Sequence, residues 1–304
     1  MKRDIFKLLT LGLLVGIVFA SCDSIDPPHY GCIDPAASNY NPDATHANGP
    51  CQGDCEYDSN DTTIVLGCTD QSALNYNPVA TSNNCDCVYE GQRNVLVEDY
   101  TGHTCGNCPR AAEVMHDLEL TYGSRIIPMA VHVGFFAQTQ SNPDGSYSTD
   151  FRTQAGNQWN TEFGNSAQGL PNGMINRRPE GGGFPQSYTA WTAQVANLLE
   201  LPPDASLAIE LDYDESTRNV NVDIDVTAFN DLNSGPYNIV VCLTEDSIVD
   251  WQKDYDPSLA DENLEHYVHM HALRANFNGT WGNQVGSGNL SAGSVNSVSY
   301  SLVL

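Results

Sequence analysis

Positive charge is scarce in this chain. Of its 304 residues only 12 are Lys or Arg, against 38 Asp and Glu, for a formal net charge of -26. Nucleic-acid binding depends on Lys and Arg neutralising phosphates, so the chain has no basic patch to offer and nucleic acid is excluded as a partner. Long apolar runs are scarce too. The run at residues 8–20 follows Lys2, Arg3 and Lys7 and falls short of the ~18 apolar residues needed to span a bilayer; no later segment approaches that length. The excess of acid serves solubility, or binds divalent cations at the surface. Hydrophobic residues still make up 40% of the chain, enough for real cores, and the length suits two or three domains.

Residues 1–21 read as a signal peptide. The apolar run ends in Phe19-Ala20-Ser21-Cys22, which resembles a bacterial lipobox. The resemblance implies that Cys22 is lipidated, becomes the mature N-terminus and anchors the chain to the outer membrane, on its periplasmic or surface side. Several acyl chains on one residue bury enough methylenes for stable attachment. The alternative is an ordinary signal peptide with a stray cysteine.

Export gives the cysteines a compartment where disulfides persist. Of ten Cys, six lie between residues 32 and 87 in an internal repeat. One copy runs from Gly31-Cys32 through Asn39-Tyr40-Asn41-Pro42 to Cys55; the other runs from Gly67-Cys68 through Asn75-Tyr76-Asn77-Pro78 to Cys87. Each copy has few aliphatic residues, and cross-links substitute for the core it cannot build. The matched ends suggest Cys32–Cys55 and Cys68–Cys87. Cys51 and Cys85 are left over, one per copy, and would tie the repeats together. Zinc is the alternative use of these cysteines, at spacings irregular for it. The Asp and Asn clusters, including Asp34, Asn39, Asn41, Asp43 and Asp70, offer oxygen ligands to calcium; turn formation explains the same residues without metal. No other cofactor is expected. The unit resembles short Cys-bounded repeats of bacterial surface proteins, which implies a spacer or adhesive role.

The texture changes at Asn94. Residues 95–100 read as a strand. Cys105-Gly106-Asn107-Cys108-Pro109 opens a helix reaching about Tyr122, with Ala112, Met115, Leu118 and Tyr122 at helical spacing. Pro109 suits the first turn and Gly123 the end. Residues 126–133 form a second strand. A polar insertion follows at 134–168, with a helix over 149–163. Pro171 stands directly before the short apolar strand Met174-Ile175, a special backbone position. Another helix is expected over 187–199, and Pro202-Pro203 marks a boundary. Beyond it, alternation over 207–213 and 220–229 and a strand over 237–245 read as a small β-sandwich. Residues 254–271 read as a loop with one helix. The chain stops at Leu304 in what looks like mid-strand, as if the last strands of the sandwich were absent.

A cysteine at a helix N-terminus meets unpaired amides and the positive end of the dipole, which favours its thiolate. Cys105 is therefore the expected exposed nucleophile and Cys108 the resolving thiol. Asp99 lies six residues before Cys105 on the incoming strand. If it points inward, burial raises its pKa and suits it to proton transfer; alternatively Glu98 points inward and Asp99 meets solvent. His103 stabilises a thiolate or contacts substrate, or is a solvated loop residue.

The stretch Glu98-Asp99-Tyr100-Thr101-Gly102-His103-Thr104-Cys105-Gly106-Asn107-Cys108-Pro109, with Gly169-Leu170-Pro171-Asn172-Gly173, resembles the lipoprotein family named after a 28-kDa bacterial outer membrane protein. The resemblance covers roughly residues 93–304 and implies a thioredoxin-like fold. It implies further that Pro171 is a cis-proline beside the dithiol, that Leu170 offers its backbone to a bound peptide strand, and that Asp99 takes the proton of the second cysteine. The segment Tyr267-Val268-His269-Met270-His271 also resembles the family. Its histidines, with His266, read as packing and hydrogen bonding in preference to a metal site.

The fold class expected is thus an α/β thioredoxin-like domain (93–202) followed by an all-β sandwich-like domain (203–304), with an N-terminal disulfide-rich repeat segment (22–92). Two functions fit. One is a membrane-tethered thiol–disulfide oxidoreductase acting on exported or surface proteins with disulfides. The other is a surface binding or adhesion lipoprotein in which the dithiol is a permanent staple.

Overall fold

The computed structural model describes residues 91–304 continuously and, before them, residues 32, 37, 38, 40–42, 65–69, 71 and 76–83. The signal peptide, Cys22 and four repeat cysteines (Cys51, Cys55, Cys85 and Cys87) lie outside the described residues. Cys32 and Cys68 are buried and each is disulfide-bonded. The repeat shows in backbone terms as well: the Asn41 amide donates to the Cys32 carbonyl at 2.8 Å and the Asn77 amide to the Cys68 carbonyl at 2.9 Å.

The elements run β1 (Leu66–Gly67), β2 (Ser82–Asn83), β3 (Val95–Thr101), α1 (Pro109–Tyr122), β4 (Ile126–His132), α2 (Gln154–Phe163), β5 (Asn172–Ile175), α3 (Trp191–Leu199), β6 (Ala205–Asp214), β7 (Asn219–Ala228), β8 (Asn238–Ile239), β9 (Cys242–Glu245), β10 (Ile248–Lys253), β11 (Asn263–His269), β12 (Ala272–Asn276), β13 (Asn283–Gln284) and β14 (Val295–Val303). Strand outweighs helix among the described residues, and the strands divide over five sheets.

This corrects the expected fold class. The structure is not a thioredoxin-like α/β domain closed at residue 202 with a separate sandwich behind it. The five-stranded sheet that carries the dithiol runs β5-β3-β4-β12-β9, so two of its strands come from beyond Pro203. Ala272 of β12 lies beside Ala130 of β4, and β9 closes the edge antiparallel to β12. The segment 254–271, read as a loop with one helix, instead contains β11, which pairs with β10 as a two-stranded hairpin.

β3 lies inside the sheet, parallel to β4 and antiparallel to β5, and is buried on both faces because helices cover the sheet. The two-residue period of a strand sorts its side chains. Val95 and Val97 pack with Ala111, Met115 and Leu118 of α1 and with Trp191 and Val195 of α3. Tyr100 packs on the opposite face with Met129, Val131, Trp159 and Leu273. Asp99 and Thr101 share the α1 face with Val95 and Val97.

Gly173 in β5 is required by packing. A Cβ there would lie 2.2 Å from the Glu98 carbonyl oxygen and 2.4 Å from the Trp191 ring. Beyond the five-stranded sheet, β14, β7 and β6 form an antiparallel sheet whose β7 residues Val222, Ile224 and Val226 join Val285 and Leu290 in a core of their own.

Candidate functional site

The Cys105–Cys108 pair is a disulfide at the start of α1, with Cys108 as N-cap and Pro109 in the first turn. No side chain caps the helix. Cys105 donates its amide to the Gly102 carbonyl at 2.9 Å, and Cys108 donates to the Cys105 carbonyl at 3.1 Å. The loop before the dithiol is clamped from the insertion, since the Thr104 amide and hydroxyl both donate to the Phe136 carbonyl.

Both cysteines are only 2% exposed. This corrects the expectation that Cys105 is the exposed one. The cover comes from residues 252–255, far away in sequence. Lys253 donates its amide to the His103 carbonyl at 2.8 Å and Tyr255 donates its amide to the Gly106 carbonyl at 2.7 Å. The Gln252 side-chain amide donates to the Cys105 carbonyl at 3.2 Å. The Tyr255 ring lies so close over Gly106 that a Cβ there would stand 2.5 Å from it.

Beneath this cover is a cavity of about 450 Å³ between the sheet, α1 and the β10–β11 hairpin. Cys108 opens onto it together with Asp99, His132, Gln252, Tyr267 and His269. Asp99 is buried, and its Oδ1 has no hydrogen-bond partner among the described residues. Burial alone pushes its carboxyl up to about 8, because an ion loses its hydration there and gains nothing in return.

Glu98 is buried too, on the opposite face of β3. Arg177 holds it with two parallel bonds of 2.8 Å and stacks 4.2 Å over the Trp159 ring. Desolvation still wins at Glu98, and its pKa is raised despite the guanidinium. Of the two carboxyls weighed in the sequence, both are inside; the paired one faces away from α1 and the unpaired one faces the dithiol's cavity.

His132 is a site residue that the sequence reading passed over. It sits in β4 opposite Thr101, which puts it on the Asp99 face. Its Nδ1 has no partner among the described residues, its ring stacks on Phe151 at 4.8 Å, and burial holds its pKa well below the usual histidine value. Strand alternation alone would have found it once β3 and β4 were known to be parallel and in register.

The other histidines are engaged separately. His103 is buried, not solvated; its Nε2 donates to the Gln138 carbonyl at 3.1 Å, its ring meets Tyr147 edge-on, and burial lowers its pKa. Its backbone carbonyl, not its ring, meets the cover. His269 donates from Nε2 to the Trp251 carbonyl at 3.3 Å, and burial brings its pKa down to about 4. His271 reaches Glu119 at 3.1 Å and Asp246 at 3.0 Å; burial would lower its pKa, but the two carboxylates outweigh that and raise it. His266 is exposed.

The Leu170–Pro171 peptide bond is cis. Asn172 lies opposite Tyr100 across the β3–β5 pair, so Pro171 falls level with Thr101, at the end of the sheet from which the dithiol loop leaves. Cys242 is a free thiol in β9, remote in role from this pair; burial pushes it up to about 11.

Residues 156–304, just under half of the chain, match the model of a family described as outer membrane protein Omp28. Among solved structures the chain is similar to HBP35 of Porphyromonas gingivalis, at 14% identity and a TM-score of 0.47 over 71% of this chain and 65% of that one. It thus spans 65% of that protein's length. It is also similar to a structural-genomics protein from Agrobacterium tumefaciens, at 13% identity and a TM-score of 0.41 over 69% of this chain and 78% of the other. No curated protein matches the chain.

Proposed function

We propose that this chain is an outer-membrane lipoprotein, tethered through Cys22, whose Cys105–Cys108 pair exchanges electrons with disulfides of exported or surface proteins. One observation carries the reading. Asp99, buried and with its Oδ1 unpartnered among the described residues, shares a cavity with Cys108. A carboxyl held near 8 is matched to the ordinary thiol range of about 8.5, so a proton passes between them at little cost.

In the reduced chain the Cys105 thiolate attacks one sulfur of a substrate disulfide and releases the other as a thiolate. Asp99 takes the Cys108 proton. The Cys108 thiolate then attacks Cys105 of the mixed disulfide, re-forms the Cys105–Cys108 bond and releases the second substrate thiolate. Two electrons pass to the substrate, and a dithiol donor at the membrane returns them by the reverse exchange. Pro171 and Leu170, level with the end of β3, border this path, and the His103 carbonyl is a backbone acceptor for a bound strand. Calcium in the N-terminal repeats belongs to the same proposal as a structural ion, with no part in the exchange.

The test is reduction of insulin disulfides by the reduced full chain. Cys105→Ser should abolish it and Asp99→Asn should slow it at least tenfold. Activity untouched by Cys105→Ser would remove the pair from the reaction.

A second reading is favoured by the 2% exposure of Cys105. In it the disulfide is a permanent brace, and the chain is a binding or adhesion lipoprotein.

A further inference from the structure

Lys253 and Tyr255 donate their amides to the carbonyls of His103 and Gly106, while the intervening Asp254 amide turns the other way to the Glu262 carbonyl at 2.7 Å. The alternation marks 253–255 as extended, and its two donors seat on backbone carbonyls of the turn that carries the dithiol. We propose that residues 252–255 are a movable lid on the dithiol, seated on the two turn carbonyls, of His103 and Gly106, that an extended polypeptide substrate takes when the lid leaves. This rests on the exchange reading given above, and it narrows the substrate class to polypeptide disulfides able to present such a strand.

The lid's construction suits movement. β10 and β11 pair only with each other and add no strand to the five-stranded sheet. A lone two-stranded hairpin is marginally stable. Two of its apolar side chains are already in solvent: Val249 is 59% exposed and Val268 47%. Both junctions turn at left-handed residues, Ser247 with φ 60° before β10 and His271 with φ 55° after β11. Such element-terminal positions absorb the backbone change of a hinge. The far end carries Asp254, Asp256, Asp261 and Glu262, with Lys253 bridged to Glu262 at 2.8 Å. Tyr267 and His269 of the same hairpin line the cavity over Asp99. Raising the hairpin therefore uncovers both sulfurs and lets water reach Asp99 in one movement.

Two measurements on the full oxidised chain test this. Amide hydrogen exchange needs no variant. The amides of Lys253 and Tyr255 should exchange at least tenfold faster than those of Val97 and Tyr100 in β3, because the hairpin opens without the core. A single common rate for all four would overturn the lid. The second measurement is the rate at which dithiothreitol reduces Cys105–Cys108. Lys253→Pro combined with Tyr255→Pro removes both amide donors and should speed reduction at least tenfold. An unchanged rate in a folded variant overturns the proposal. If the variant is reduced faster but its reduced form leaves insulin disulfides intact, the lid stands and the exchange reading falls.

Discussion

Asp99 and Cys108 belong to different elements, one on the interior strand β3 and one at the first turn of α1, yet they face the same cavity, which no Lys or Arg lines. Burial is what sets the carboxyl, and it holds the group near 8. Its folded pKa exceeds its ordinary value, so the folded chain binds more protons than the unfolded one from about pH 4 to about pH 8. Stability then falls as pH rises through that window, by up to about 1.4 kcal/mol per pH unit. Asp99→Asn removes this dependence. Urea titrations from pH 4 to 9 should show the variant gaining on the wild type as pH rises, with the gain levelling off above about pH 8. A constant difference across the range would mean that Asp99 is not the titrating group.

Arg177 and Glu98 form the opposite case, a buried carboxylate with a two-bond partner. Removing the partner leaves a charge that burial alone cannot support. Arg177→Met should cost about 3–5 kcal/mol at neutral pH, and less in acid, where Glu98 takes up a proton. The double variant Arg177→Met with Glu98→Gln should be less destabilised than the single one. Chemical denaturation of the three chains checks both statements.

His271 ties the β11–β12 corner to α1 through Glu119. Its pKa is raised in the folded chain, so its contribution is full below the unfolded value near 6.5 and is lost as pH rises through the folded value. His271→Gln should cost about 1 kcal/mol at pH 5.5 and progressively less as pH rises above the unfolded value. Thermal unfolding from that pH upward checks the trend.

Gly173→Ala tests the close approach of β5, β3 and α3. With a methyl group 2.2 Å from the Glu98 carbonyl, the backbone pair must spread, at a cost of about 3 kcal/mol. A loss below about 1 kcal/mol, read from urea midpoints, would show that the strands have room to separate.

Local structure was legible in the sequence where short-range rules decide it. The alternation at 95–100, the helical spacing of Met115 and Leu118, Pro109 in the first turn and Pro171 before its strand all reappear as β3, α1 and a cis bond. Helix starts were less well placed. Thr153, not Thr149, caps α2, and α3 begins at Trp191 after a 3₁₀ turn. What short-range rules cannot decide is which strands close a sheet. β12 is only five residues long and follows a polar stretch, so nothing local told that it joins β4 and carries the sheet past Pro203. The burial of Cys105 was hidden for the same reason, because its cover lies about 150 residues further on, in Gln252 to Tyr255. Glu98 and Asp99 sit side by side in sequence, and only the placement of Arg177 decided which one keeps a counter-charge.

The central claim is that Cys105–Cys108 is an exchangeable pair, and its reduction potential tests that most directly. Equilibrating the full chain with a glutathione series should give a value above about -300 mV, within reach of a biological dithiol donor. A value below about -300 mV would make the pair a permanent brace and contradict the account.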